Sequence, residues 1–136
     1  MTIDSTHEND KPMTIAELIE KSFGNSRSKG FWDEHANGPP WRSGPTFTTS
    51  CIPEKLMLIV SELSEALEEH RGGRAPTHTY FNPEKPTKPE GIPSELADVM
   101  IRVADLAGAF GIDLESAIRA KMAYNASRPH KHGKVC

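Results

Sequence analysis

Between positions 56 and 67 apolar residues return every three or four places, so that Leu56, Ile59, Val60, Leu63, Ala66 and Leu67 fall on one stripe at about 100° per residue. This pattern predicts a helix from about residue 53, a proline suited to a first turn, to about residue 71, ahead of Gly72 and Gly73. A second helix is predicted from about residue 93 to residue 110, closed by Gly111. A third starts at the cap Asp113 and ends before Pro129. Upstream, Thr14 and Glu17 form a capping box, and Ile15, Leu18, Ile19 and Phe23 keep a helical period, which predicts a short amphipathic helix stopped at Gly24. No segment reads as a strand.

The segments between these helices are punctuated by glycine and proline. "KGFWDEHANGPPWRSGPTFTTSCIP" sets Phe31, Trp32, Trp41 and Phe47 among such breakers, the mark of a loop or broken helix laid over a core. Residues 74 to 92 form a Pro-rich loop without periodicity, which at that length serves as a lid or is mobile. Residues 1 to 12 have almost nothing to bury and are expected to be a disordered N-terminal arm. The expected architecture is one all-α domain over residues 13 to 136, a helical bundle with two long acid-bearing helices and a C-terminal helix.

A formal net charge of −3 provides no global basic field for a nucleic-acid backbone, so no nucleic-acid partner is expected. No stretch of about 18 apolar residues occurs and the N-terminus has no secretory pattern, which predicts a cytoplasmic protein without a membrane span. Cys51 and Cys136 stand far apart, without the Cys/His grouping of a zinc site.

The acids carry the candidate chemistry. On the first long helix Glu62, Glu65 and Glu69 share a face, with Leu58 among them, a sign that this face is not fully open to water. The second long helix is apolar over most of its circumference and leaves a narrow stripe of Glu95, Asp98, Arg102 and Asp105, whose acids need a partner if the helix is buried. Glu62-x-x-Glu65 and Glu95-x-x-Asp98 each set two carboxylates one turn apart, and antiparallel packing of the two helices brings all four together. Four close carboxylates repel one another and raise their pKa values unless a multivalent cation is present. All-oxygen ligation points to Mg2+, with Mn2+ as a substitute. Di-iron bundles need Glu-x-x-His partners, which the chain lacks. The bland alternative, a solvated face with i,i+4 partners, suits Glu54, Glu68 and Glu69, and suits Asp98 through Arg102.

On the last helix Leu114, Ile118 and Met122 mark the inward face, and Lys121 and Asn125 project from it, with Arg128 and Tyr124 near its edge. Cations facing an acid-metal cluster suit a bridging phosphate chain, although an ion pair accounts for Lys121 equally well. The basic tail adds Arg128, His130, Lys131, His132 and Lys134, able to close over phosphates, with His130 expected in solvent. Trp32, Phe31, His35 and Trp41 offer rings for stacking on a nucleobase, or for pinning their loop to the bundle.

"EKLMLIVSELSEALEEHR" followed by "SELADVMIRVADLAGAFGIDLESAIRAKMAYNASRPHKHGK" resembles the MazG-like branch of the all-α nucleoside triphosphate pyrophosphohydrolases, over about residues 52 to 134. The resemblance implies metal ligation by Glu62, Glu65, Glu95 and Asp98, and substrate contacts from Lys121, Asn125, Arg128 and Lys134. It further implies Mg2+-dependent hydrolysis of a nucleoside triphosphate, a deoxynucleoside triphosphate above all, to monophosphate and pyrophosphate in nucleotide housekeeping. Glu62 or Glu65 would serve the attacking water as the catalytic acid-base group, on a scaffold completed as a homodimer or homotetramer. The Pro-rich insertion between the acidic pairs departs from the compact connection of that family. The competing expectation is a non-catalytic helical bundle that binds nucleotides or a partner protein, its acids serving as salt bridges.

Overall fold

The computed structural model describes residues 11–37, 46–133 and 135, with the side chains of His132 and Gly133 left aside. The arm expected at residues 1 to 12 falls almost wholly outside the described residues, as do Trp41, Lys134 and Cys136. The described chain is mostly helical, with α1 (Ile15–Ser28), α2 (Ile52–Arg71), α3 (Ile92–Phe110) and α4 (Leu114–Ser127). Two small antiparallel ribbons complete it, β1 (Ala36–Asn37) with β2 (Thr46–Phe47) and β3 (Tyr80–Asn82) with β4 (Lys85–Glu90). Among the described residues no helix is long and apolar enough to cross a membrane.

α1 starts as its capping residue dictates, with the Glu17 amide donating to Thr14 Oγ1 at 3.1 Å. It does not stop at Gly24 but runs on to Ser28, because a mid-helix glycine costs only about 1 kcal/mol and the helix is packed against α3 on both sides of it. The two helices come close at Gly108, where an added Cβ would lie 2.6 Å from the Phe23 Cβ. α3 is the central element, in contact with both α1 and α2.

The core is small and aromatic. Trp32 is 1% exposed and is enclosed by Phe23, Phe47, Phe110 and His35, with ring centroids 4.8 to 6.1 Å away, mostly edge to face. Cys51 and Leu106 close the cluster. The loop expected to lie over the core thus supplies its centre, held by a 3₁₀ turn at Asp33–His35, the β1/β2 pair with Ala36 opposite Phe47, and a second 3₁₀ turn leading into α2.

The Pro-rich segment is not a structureless loop. β3 and β4 form a hairpin, Tyr80 opposite Glu90 and Phe81 opposite Pro89, with an irregularity between Phe81 and Asn82. Pro86 and Pro89 are tolerated because a two-stranded ribbon has only edge strands, where a missing N–H leaves no ladder partner stranded. The hairpin is pinned through both strands at its open end. Tyr80 donates its hydroxyl to Glu69, 2.8 and 3.0 Å from the two carboxylate oxygens, and Arg74 lies 4.1 Å above the Tyr80 ring. The Ser94 hydroxyl donates to the Pro89 carbonyl at 2.8 Å. Glu69 is therefore no solvated acid, whereas Glu68 does pair at the surface with Arg71. Between hairpin and α3, Gly91 adopts φ +112°, and a Cβ there would meet the His78 carbonyl oxygen at 2.3 Å.

Expectations about burial fail on three helices. α3 is not buried all round, since Leu96, Met100 and Ile101 are 44 to 54% exposed and only Ala104, Leu106 and Ala107 are buried. The apolar stripe of α2 is likewise open at Leu56, Val60, Leu63 and Leu67. α4, capped by Asp113 through the Ser116 amide, buries no residue; its contact is chiefly with α1, and Met122 on its expected inward face is 65% exposed. Among the described residues no element covers these faces.

Candidate metal centre

Glu62, in the third turn of α2, and Glu95 and Asp98, in the first two turns of α3, each offer a carboxylate oxygen, and these oxygens lie within 4.8 Å of one another. All three residues are partly buried. α2 and α3 pack side by side, so the i,i+3 pair on α3 and the facing Glu62 meet across the helix seam. Glu65 is exposed and stays outside this group, which leaves three of the four predicted ligands together.

The charge is incompletely neutralised. Burial, and then the charges of Asp98, Glu62 and Glu65, push the Glu95 carboxyl above its ordinary range. Burial and Glu62 likewise raise Asp98, with Arg102 and Lys88 pulling the other way. Arg102 does not pair with Asp98 along its own helix; its Nε donates to Glu62 Oε1 at 2.6 Å across the seam. An oxygen-only donor set with repelling, partly desolvated carboxylates fits a hard divalent cation.

Beside the acids opens a cavity of about 430 Å³ that shares Glu62 and Asp98 with the cluster. α1 contributes Ser22, Asn25 and Ser26, and α3 contributes Arg102 and Asp105. Asp105 accepts the Trp32 indole N–H at 2.9 Å; its carboxyl is raised chiefly by burial, against the pull of the Trp32 and Ser26 hydrogen bonds. Lys55 lies 4.4 Å from the Trp32 ring centroid and donates to the Phe31 carbonyl at 3.4 Å.

Trp32 and His35 do not serve as open stacking surfaces: Trp32 is the buried centre of the core, and the His35 ring packs edge-on against it with 14% of the side chain exposed. Phe31, 66% exposed and on the cavity lining, is the ring available to a ligand. Lys121, Asn125 and Arg128 are not in the lining. Lys121 and Arg128 instead flank the Tyr124 ring at 5.2 and 5.6 Å. Lys134 lies outside the described residues. Asn25, Ser26 and Lys55 carried no sequence signal, whereas Arg102 and Asp105 belonged to the polar stripe of α3 from the start.

Fold and site together define a mostly helical protein with a three-carboxylate group beside a cavity whose lining includes two of the three acids. Set against known proteins, the chain matches no family model, no curated protein and no solved structure.

Proposed function

We propose that the chain is a Mg2+-dependent nucleoside triphosphate pyrophosphohydrolase of the MazG-like type, acting on deoxynucleoside triphosphates in nucleotide housekeeping. The observation that carries this is the meeting of Glu62, Glu95 and Asp98 across two helices, beside a cavity large enough for a small-molecule ligand. These three residues would hold Mg2+ or Mn2+. When bound, the cation supplies neutralisation of phosphate charge and acidification of water. Water attacks the α-phosphorus, the bond to the bridging oxygen breaks, and nucleoside monophosphate and pyrophosphate leave. Glu65, exposed beside the group, takes the water's proton, a role less suited to Glu62 while Arg102 holds one of its oxygens. Arg102, at the seam and on the cavity lining, offsets charge on the triphosphate.

The active form is a homodimer or homotetramer. Leu56, Val60, Leu63 and Leu67 on α2, with Leu96 and Met100 on α3, are 46 to 54% exposed, and apolar stripes this long are covered in stable proteins. A second copy seated there would also let α4 of one protomer, with Lys121 and Asn125, approach the acids of another.

A non-catalytic nucleotide- or protein-binding bundle is the second reading, favoured by the Arg102 to Glu62 ion pair, which partly neutralises the acids without a metal. Incubation with a panel of nucleoside triphosphates and Mg2+, scoring pyrophosphate against orthophosphate, separates the two. Pyrophosphate as the first product supports the hydrolase; no turnover on any nucleotide, or orthophosphate first, rejects it.

A further inference from the structure

Resting on the pyrophosphohydrolase proposal, we infer that the cavity beside the acids holds the substrate's base, and that Asp105 selects cytosine or adenine over uracil and thymine. The cavity shares Glu62 and Asp98 with the acidic group, so a nucleotide with its phosphates at the acids has the rest of its length in the cavity. Its volume of about 430 Å³ lies within the range of small-molecule sites. Leu58, Ile101 and Leu106 give it apolar walls, and the exposed Phe31 stands on its lining as a stacking surface.

Asp105 is placed for base recognition by the helix that carries the acids. Seven residues beyond Asp98, it returns to nearly the same face of α3 after a rise of about 10 Å, a span suited to the sugar and base of a nucleotide. Its orientation is fixed by the Trp32 indole, which donates to Oδ1 at 2.9 Å and cannot move because Trp32 is 1% exposed. A carboxylate accepts about four hydrogen bonds, and Trp32 and Ser26 supply two, which leaves capacity for a donor on the ligand. The two cations of the lining hydrogen-bond elsewhere, Lys55 to the Phe31 carbonyl and Arg102 to Glu62.

An acceptor held this way in a half-buried wall calls for a donor on the ligand. Cytosine and adenine carry an exocyclic amine at the position where uracil and thymine carry a carbonyl oxygen, so the first two donate to Asp105 and the last two face it with a lone pair. The imide N–H of uracil and thymine is flanked by carbonyl oxygens, which a carboxylate repels. A site built around one hydrogen bond discriminates more sharply than an apolar pocket does.

The test is calorimetric binding of CMP, AMP, UMP and TMP to the full chain with Mg2+, alongside kcat/KM for the corresponding deoxynucleoside triphosphates. CMP or AMP is expected to bind at least about tenfold more tightly than UMP and TMP. Asp105→Asn keeps an oxygen for Trp32 and turns an amide donor to the base, which should bring the ratio to one or invert it. Equal binding of all four by the unaltered protein, no binding of any, or an unchanged ratio in a folded D105N protein overturns the assignment. If D105N fails to fold, the unaltered protein's panel decides alone. Base-selective binding without turnover would leave the base assignment standing and remove the hydrolase; turnover without base selection would do the reverse.

Discussion

Glu95 and Asp98 hold their protons more tightly than ordinary carboxylates because each is partly desolvated and each faces other acids. Asp105 does so through burial. The native chain therefore binds more protons than the unfolded chain between the ordinary carboxylate range and these raised values. From these groups, metal-free stability falls as pH rises through that window and is regained on acidification. The melting temperature in EDTA should rise as pH is lowered from neutrality toward the ordinary carboxylate range, and Glu95→Gln should flatten that slope. A slope of opposite sign, or one untouched by the substitution, would contradict the electrostatic account. If Mg2+ binds as proposed the order changes, since cation binding requires both carboxylates ionised. Glu95→Gln and Asp98→Asn should each abolish the Mg2+-induced rise in melting temperature and lower turnover by more than about a hundredfold. The acids themselves were legible as residue types at helical spacing. That Glu65 stands apart from Glu62, Glu95 and Asp98, and that Arg102 crosses to the other helix, was not, because spacing fixes a face but not a rotamer.

Among the elements, the hairpin and the α1 to α3 contact carry the sharpest expectations. Gly91 combines a left-handed φ of +112° with the His78 carbonyl oxygen 2.3 Å from any added Cβ, so Gly91→Ala should destabilise by more than about 1 kcal/mol in urea unfolding. Gly108→Ala meets Phe23 at 2.6 Å and should cost about 1 to 3 kcal/mol by the same measurement, as overpacking in a tight seam does. Loss smaller than the error of the unfolding curve at both sites would remove the two close approaches. Tyr80→Phe takes away the hydroxyl that Glu69 accepts, and hydrogen exchange over residues 80 to 90 should then quicken while α2 and α3 stay protected. The four helices were visible from periodicity and caps, with boundaries wrong where packing overrode local preference, as at Gly24 in α1. The hairpin was invisible because three prolines hide any alternation over residues 80 to 90, and its stability comes from tethers to α2 and α3 rather than from strand propensity.

For the molecule as a whole, the described part of the chain has a small core and much open apolar surface. Trp32→Ala should lose about 3 to 5 kcal/mol, since Trp32 is the largest fully buried side chain among the described residues and also orients Asp105. Leu63→Glu places a charge in the middle of the open α2 stripe, where Leu63 is 48% exposed. If that stripe joins copies of the chain, sedimentation should show the unaltered protein as a dimer or larger and the variant as a smaller, folded species. A monomer before substitution rejects the assembly.

Sequence alone determined that the chain is predominantly helical and that Glu62 with Glu65, and Glu95 with Asp98, each share a helix face, because caps, a 3.6-residue period and carboxylates one turn apart are local facts; that Glu62 rather than Glu65 meets Glu95 and Asp98 was decided by packing. It did not determine which aromatic ring fills the core and which faces the cavity: Trp32 and Phe31 are neighbours, and only the packing of Phe23, Phe47 and Phe110 around Trp32 separates them. Nor did it place Asp105 beside the Trp32 indole, 73 residues away in the chain. Contacts of that kind depend on how two helices and a loop settle against one another, and no periodicity along the chain encodes that distance.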